Sequence, residues 1–312
     1  PAIEVSAEWR VCNPTSVPNF SAVAYYFGRQ IHKELKVPVG LINASWGSTT
    51  VQQWTPPEGY RLVEGFATGK LKRETCPIGK GGCGGMYNGM IAPLIPFAIR
   101  GGLWYQGEDN VHREAGTYDK LLEALILGWR DVWGQGAFPV YFVQLAPFAG
   151  TRGSLPAFWE AQTRAIRIPN SGMVVVSDLV TDLADIHPAN KADVGKRLAN
   201  WALAKDYGRK DVVYCGPIFK SVAIEGNQAL VSFDHVGGGL TSRDGKDLTD
   251  FQVAGEDKKF VPATAKIVGE MVSVSAEGVK PVAVRFAYDG TARANLMNKE
   301  GLPANSFRTD NW

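Results

Sequence analysis

A chain of 312 residues, 45% hydrophobic and 21% charged, is long enough for one large domain with a full core, or a large domain plus a small one. With 33 Lys and Arg against 31 Asp and Glu, the net charge is +2, which favours neither nucleic acid nor an acidic membrane surface as a partner. No apolar run approaches the length of a membrane span. The sequence begins at Pro1 with no initiator Met, so a signal, pro-segment or longer piece is expected to have been removed upstream.

Residues 20–36, "FSAVAYYFGRQIHKELK", place Val23, Tyr26, Phe27, Ile31 and Leu35 on one helical face, with Ser21 as cap. His32 falls in the charged last turn, where a cation complements the helix dipole, so its role is structural. "VPVGLI" (37–42) reads as a buried strand and "NASWGSTT" as a loop of small polar residues. Residues 58–85 are Gly- and Lys-rich without periodicity. Strand "AIRGGLWY" and loop "QGEDN" follow, then a helix over 117–133 with Leu121, Leu122, Leu125, Trp129 and Val132 aligned. Strand "FPVYFVQLA", a helix around "PAFWEAQTRAI", strand "GMVVVSD", an acidic loop and a helix over 191–206 complete the pattern. Strands alternating with helices predict a mainly parallel sheet covered on both faces.

After Gly208 the pattern changes to alternating runs around a Gly-Asn turn, "SVAIEGNQALVSFDHV", continued by "KIVGEMVSVSAEGVKPVAVRFAY". The expected division is an α/β domain over 1–208 and an antiparallel β-rich module over 209–312. His235 reads there as a turn or surface residue. Of the four cysteines, Cys76 and Cys83 in "CPIGKGGCGG" are too far apart for a zinc pair and lack a second ligand pair, so a local disulfide or two free thiols is expected. Asn19 and Asn43 open glycosylation-type triplets, from which no compartment is read.

Ligands of open α/β sheets bind beyond the carboxyl ends of the strands. Three such loops carry chemistry here: "NASWGS", "QGEDN" and "DLVTDLADIHP". Together they bring a backbone N–H near Gly47, the Gln106 amide, the Glu108 carboxylate, and His187 beside an acid. An imidazole held by a carboxylate is a general base, and a glycine N–H with an amide suits an oxyanion. The plainer readings stay open: His187 before Pro188 as a helix cap, "QGE" as a buried turn, Gly47 as a tight turn. Trp46, Trp54 and Trp104 are either core or a sugar-stacking platform.

The segments "FSAVAYYFGRQIHKELKVPVGLINASWGSTTVQQW", "MYNGMIAPLIPFAIRGGLWYQGEDN", "DIHPANKADVGKRLANWAL" and "NLMNKEGLPANSFRTD" resemble the sialate O-acetylesterase family, part of the SGNH-hydrolase group of carbohydrate esterases. The resemblance runs from residue 9 to residue 310. It implies a flavodoxin-like three-layer α/β/α SGNH-hydrolase domain with a smaller β-rich addition, and removal of O-acetyl esters from sialic acids or similar sugars without a metal or cofactor. It also implies a secreted, periplasmic or lysosomal setting. By position, His187 resembles the catalytic base, Gly47 and Gln106 the oxyanion donors, and Glu108 a supporting partner in the same loop.

Two departures accompany the resemblance. The wider group places its acid three residues before the histidine, where this chain has Ala184; Asp185 is the expected acid, with Asp182 and Asp178 as alternatives. The family's Gly-Gln-Ser-Asn-Met nucleophile run, and any Gly-x-Ser-x-Gly elbow, are absent from these 312 residues. The expectation is therefore a serine supplied by a missing upstream segment or a smaller amino-terminal chain; Ser45 is the weaker candidate within the chain. An acetyl-xylan or other polysaccharide deacetylase, and a non-catalytic sugar-binding protein, are the alternative functions.

Overall fold

Apolar runs with no alternation build the centre of the molecule, because a strand covered on both faces needs apolar side chains on both. In the computed structural model, which describes residues 7–72, 82–151 and 153–312, these runs form β1 (Gly102–Trp104), β2 (Val140–Val143) and β3 (Ser171–Val174). They pair in parallel in the order β1-β2-β3, with Trp104 opposite Phe142 and Phe142 opposite Met173. Every residue of β2 is buried.

The helices, in chain order, are α1 (Ala22–Leu35), short α2 (Val51–Trp54), α3 (Pro57–Leu62) and α4 (Glu64–Ala67), then α5 (Val111–Glu114), α6 (Tyr118–Trp133), α7 (Leu155–Arg164) and α8 (Lys191–Lys205). Side chains alternate across the sheet and so meet different helices. Val140, Phe142 and Met173 pack with Leu122, Leu125 and Phe158 of α6 and α7. Tyr141, Val143 and Val174 pack with Ile31 of α1 and with Val194 and Leu198 of α8. Each fully buried Leu or Phe contributes about 1.5–3 kcal/mol, so this three-layer core dominates the stability of the unit. The helices α1 and α8 touch closely: a Cβ added at Gly195 would lie 2.6 Å from Tyr26 Cβ and 2.7 Å from the Val23 carbonyl oxygen. Ser21 caps α1 by accepting from the Ala24 N–H at 3.3 Å. His32 Nδ1 lies 2.7 Å from the Val37 carbonyl oxygen, closing the last turn as a structural residue.

The segment 37–42, expected as a strand, forms none. A strand requires a neighbour for its N–H and C=O groups, and among the described residues nothing pairs with this segment. Val37 and Ile42 are exposed. The far edge of β1 is likewise unpaired among the described residues.

From Ile218 onward the chain is antiparallel. One four-stranded sheet joins β4 (Ile218–Glu225), β5 (Gln228–Asp234), β10 (Met271–Ser275) and β9 (Thr264–Val268) in the order β4-β5-β10-β9. Another joins β7 (Phe251–Ala254), β8 (Phe260–Pro262), β11 (Ala283–Phe286) and β13 (Phe307–Arg308) in the order β13-β11-β7-β8, while β6 (Leu240–Ser242) pairs with β12 (Leu296–Asn298). Two-residue hairpins close where glycine takes a positive φ, Gly226 at 61° and Gly269 at 63°. Phe251, Phe286 and Phe307 anchor the core between the sheets. Arg308 joins the two parts of the chain through an ion pair to Glu160 on α7 at 2.8 Å.

Candidate active site

The loops leaving β1 and β3, with the segment 43–50, carry every candidate catalytic and oxyanion residue read from the sequence. Between two of them lies a buried polar hub. Asn110, with no exposed surface, accepts at Oδ1 from the Val51 N–H (3.0 Å) and from Gln106 Nε2 (2.8 Å). Its Nδ2 donates to Gln52 Oε1 (2.9 Å) and Glu114 Oε2 (3.0 Å). Four good bonds on one amide leave none of its polar capacity unused. Gln106 completes the bridge: Nε2 also donates to the Thr49 carbonyl (2.8 Å), and Oε1 accepts from the Tyr118 hydroxyl (2.9 Å). Both Gln106 N–H groups are thus engaged, so an oxyanion at this amide must displace Thr49 O or Asn110.

Gly47 lies in an exposed turn, and a Cβ there would meet nothing within 4 Å. The residue with left-handed backbone in that turn is Ser48, at φ 53°. Ser45 Oγ donates to Asn43 Oδ1 at 3.1 Å. Gly107 is required by packing, since a Cβ would fall 2.6 Å from Phe158 Cζ.

The three aspartates occupy different settings. Asp178 forms a two-pronged ion pair with Arg197, at 2.7 and 2.6 Å, both side chains only 9% exposed. Asp182 Oδ1 accepts from the Ala184 N–H, and Asp185 Oδ1 from the backbone N–H of His187, each at 2.8 Å. The His187 ring is exposed, and among the described residues no hydrogen bond reaches it. Pro188 behind it is buried, and Asn190 caps α8 by accepting from the Asp193 N–H at 3.1 Å. The imidazole is therefore carried on a fixed turn at the mouth of the sheet.

Glu108 is the carboxylate whose charge His187 feels. Burial pushes its carboxyl above the ordinary range, opposed by its own N–H, the Gly107 N–H and the His187 charge. Lys191 stands over the Tyr105 ring at 5.2 Å; burial lowers its pKa while Glu108 and Asp185 hold it up. A carboxyl whose pKa is raised by folding favours the folded state below its ordinary pKa, and that contribution is lost as pH rises through the folded value. Glu108→Gln is expected to raise Tm near about pH 7, with wild type and variant converging near about pH 4. A variant with lower Tm at neutral pH would show that the Glu108 charge is net stabilising.

Among the described residues no group of three His, Cys, Asp or Glu is placed to hold a metal ion. Cys83 is disulfide-bonded, and Cys76 lies outside the described residues.

A family model described as "Carbohydrate esterase, sialic acid-specific acetylesterase" matches residues 14–204, which span the sheet, the hub and His187. The chain belongs to this acetylesterase family. It is 30% identical over 239 residues to the sialate O-acetylesterase of Homo sapiens, covering 69% of this chain and 45% of that protein. The Rattus norvegicus sialate O-acetylesterase is 27% identical over 260 residues, covering 69% and 48%. The chain spans about half the length of these curated relatives. Among solved structures, a carbohydrate acetylesterase from Xanthomonas citri matches with a TM-score of 0.88 at 35% identity, covering all of this chain and 71% of that one.

Three structural residues beside the candidate site escaped notice in the sequence: Asn110, Gln52 and Glu114. Asn110 ends the "QGEDN" run, and its place in the same polar loop as Gln106 was the one available signal.

Proposed function

We propose that this chain forms the larger part of a carbohydrate O-acetylesterase that removes acetyl esters from sialic acids or similar sugars, with the α/β unit over 1–208 and the β-rich module over 209–312. The observation that carries the reading is the His187 imidazole: exposed, without a hydrogen-bond partner among the described residues, and set on a braced turn near the half-buried Glu108 carboxylate. That is the state of a general base waiting for a hydroxyl.

In the proposed reaction a serine hydroxyl attacks the acetyl carbonyl while His187 takes its proton. The Gly47 N–H and the Gln106 amide receive the oxyanion, the amide exchanging one of its present bonds. The sugar leaves as its alcohol, taking the proton from His187. Water, deprotonated by the same ring, then releases acetate from the acyl-serine. Asp185 holds the turn through the His187 N–H, and Glu108 lies within electrostatic reach of the ring; Asp178 and Asp182 remain outside the chemistry.

The serine is proposed to come from a strand, in an upstream segment or a smaller second chain, that lies between segment 37–42 and β1. The edge of β1, unpaired among the described residues, and the exposed Val37 and Ile42 support this placement, because a paired strand would satisfy the first and cover the others. A second substrate reading, an acetyl-xylan or other polysaccharide deacetylase, is compatible with the Xanthomonas citri neighbour, described only as a carbohydrate acetylesterase.

The test is acetate release from O-acetylated sialic acid and from acetylated xylan, by this chain with and without the serine-bearing segment. A serine-directed fluorophosphonate identifies the labelled residue by mass spectrometry. Labelling on the added segment, with release only when it is present, is the expected result. Labelling of Ser45 in the chain alone, with release, would overturn the proposed source of the nucleophile. No release under any condition would leave a sugar-binding protein in place of the esterase.

A further inference from the structure

A cleft of about 720 Å³ lies where the β3 loop meets the β-rich module. One wall holds Ser177, Val180 and Asp178, the last already paired with Arg197, and the other holds Arg243, Asp250, Gln252, Asp289 and Arg293. The loop after β2 clamps these walls next to the His187 turn: the Phe148 N–H donates to the Gly290 carbonyl and the Ala149 N–H to the Leu183 carbonyl, both at 2.9 Å. Leu183 is four residues from His187. The cleft therefore opens at the same end of the sheet as the proposed catalytic base.

Its chemistry is specific. Arg243 donates to the Arg293 carbonyl at 3.2 Å and Arg293 to the Thr181 carbonyl at 3.5 Å, and neither guanidinium has an ion-pair partner among the described residues. Asp250 accepts from the Thr249 hydroxyl and Asp289 from the Thr291 N–H, and neither carboxylate is ion-paired among the described residues. Two cations and two anions thus share one cleft unpaired, with formal charges that cancel. A phosphate or a polyanion gains little from such a wall. Neighbouring hydroxyls gain much: each accepts from a guanidinium and donates to a carboxylate, as a sugar ring offers along its edge.

We infer that this cleft is a second sugar subsite, holding an uncharged hydroxyl-rich residue adjacent to the acetylated one. The inference rests on the esterase reading for its biological meaning, and it makes the substrate a glycan and not a free monosaccharide.

Two measurements test it. The first needs no catalysis: NMR titration of the chain with sialyllactose and with xylotriose, reading the resonances of Arg243, Thr249 and Arg293. Saturable shifts with either probe, weakened at least about tenfold in Arg243→Ala/Arg293→Ala, are expected. No shift with both probes, or shifts unchanged by the substitutions, overturns the subsite. The second uses the complete enzyme: the double variant should lower kcat/KM for the O-acetylated oligosaccharide at least about tenfold while leaving p-nitrophenyl acetate hydrolysis unchanged. An equal loss on both esters, or no loss on either, would assign the arginines to the fold alone. An enzyme inactive on p-nitrophenyl acetate would defeat the esterase reading, and the titration would still decide the cleft.

Discussion

His187→Ala is expected to lower acetate release by the complete enzyme by about 10⁴- to 10⁶-fold, the range seen when a serine enzyme loses the group that holds its base or the base itself. The fold should be untouched. The ring is exposed and makes no hydrogen bond among the described residues, while the turn is held by Asp185 through the backbone N–H, which alanine retains. Stability should therefore change by no more than about 0.5 kcal/mol. Turnover measured beside Tm separates the two effects. Near-normal release would take His187 out of the chemistry, and a large drop in Tm would make it a structural residue.

The largest effect on stability is expected at the pair that joins α8 to the strand-end loop. Arg197 clasps Asp178 with two short bonds and also donates to the Val175 carbonyl at 2.7 Å. Arg197→Met strands the Asp178 carboxylate among buried neighbours and should cost about 3–5 kcal/mol. Asp178→Asn should be milder, since an amide still accepts one of the two bonds. The double variant Asp178→Leu/Arg197→Met removes both charges and is expected to recover much of the loss, because two buried charges are replaced by packing. Thermal melts of all three variants check the order. Full stability of Arg197→Met would mean that water reaches Asp178 freely.

The parts of this fold that were legible in the sequence are those set by local pattern. The runs around Val140–Val143 and Ser171–Val174 are apolar on both faces, and the amphipathic stretches of α1 and α6 turn a stripe toward them. The Gly226–Asn227 hairpin announced itself by residue type. What was not legible depends on partners distant in the chain. Residues 37–42 have strand composition, but a strand is made by its neighbour. The Asn110 hub joins residues 58 and 59 positions apart, and Asp178 meets Arg197 nineteen positions on, so no period reports them. The site residues were identifiable by type and position. Their bonds were not: the Gln106 amide is already occupied, and the Asp185 carboxylate serves a backbone N–H and not the imidazole.

The satisfied hub also bears on how the serine-bearing strand proposed above would dock. Because Gln106, Asn110, Gln52 and Glu114 already lock the two loops together, the strand proposed above would meet a preset surface on the β1 side, and the ordering of segment 37–42 would be the rearrangement left to make. Assembly then becomes an encounter between a preset surface and an extended segment. Its rate should rise in proportion to the concentration of that segment until the ordering of residues 37–42 sets the limit.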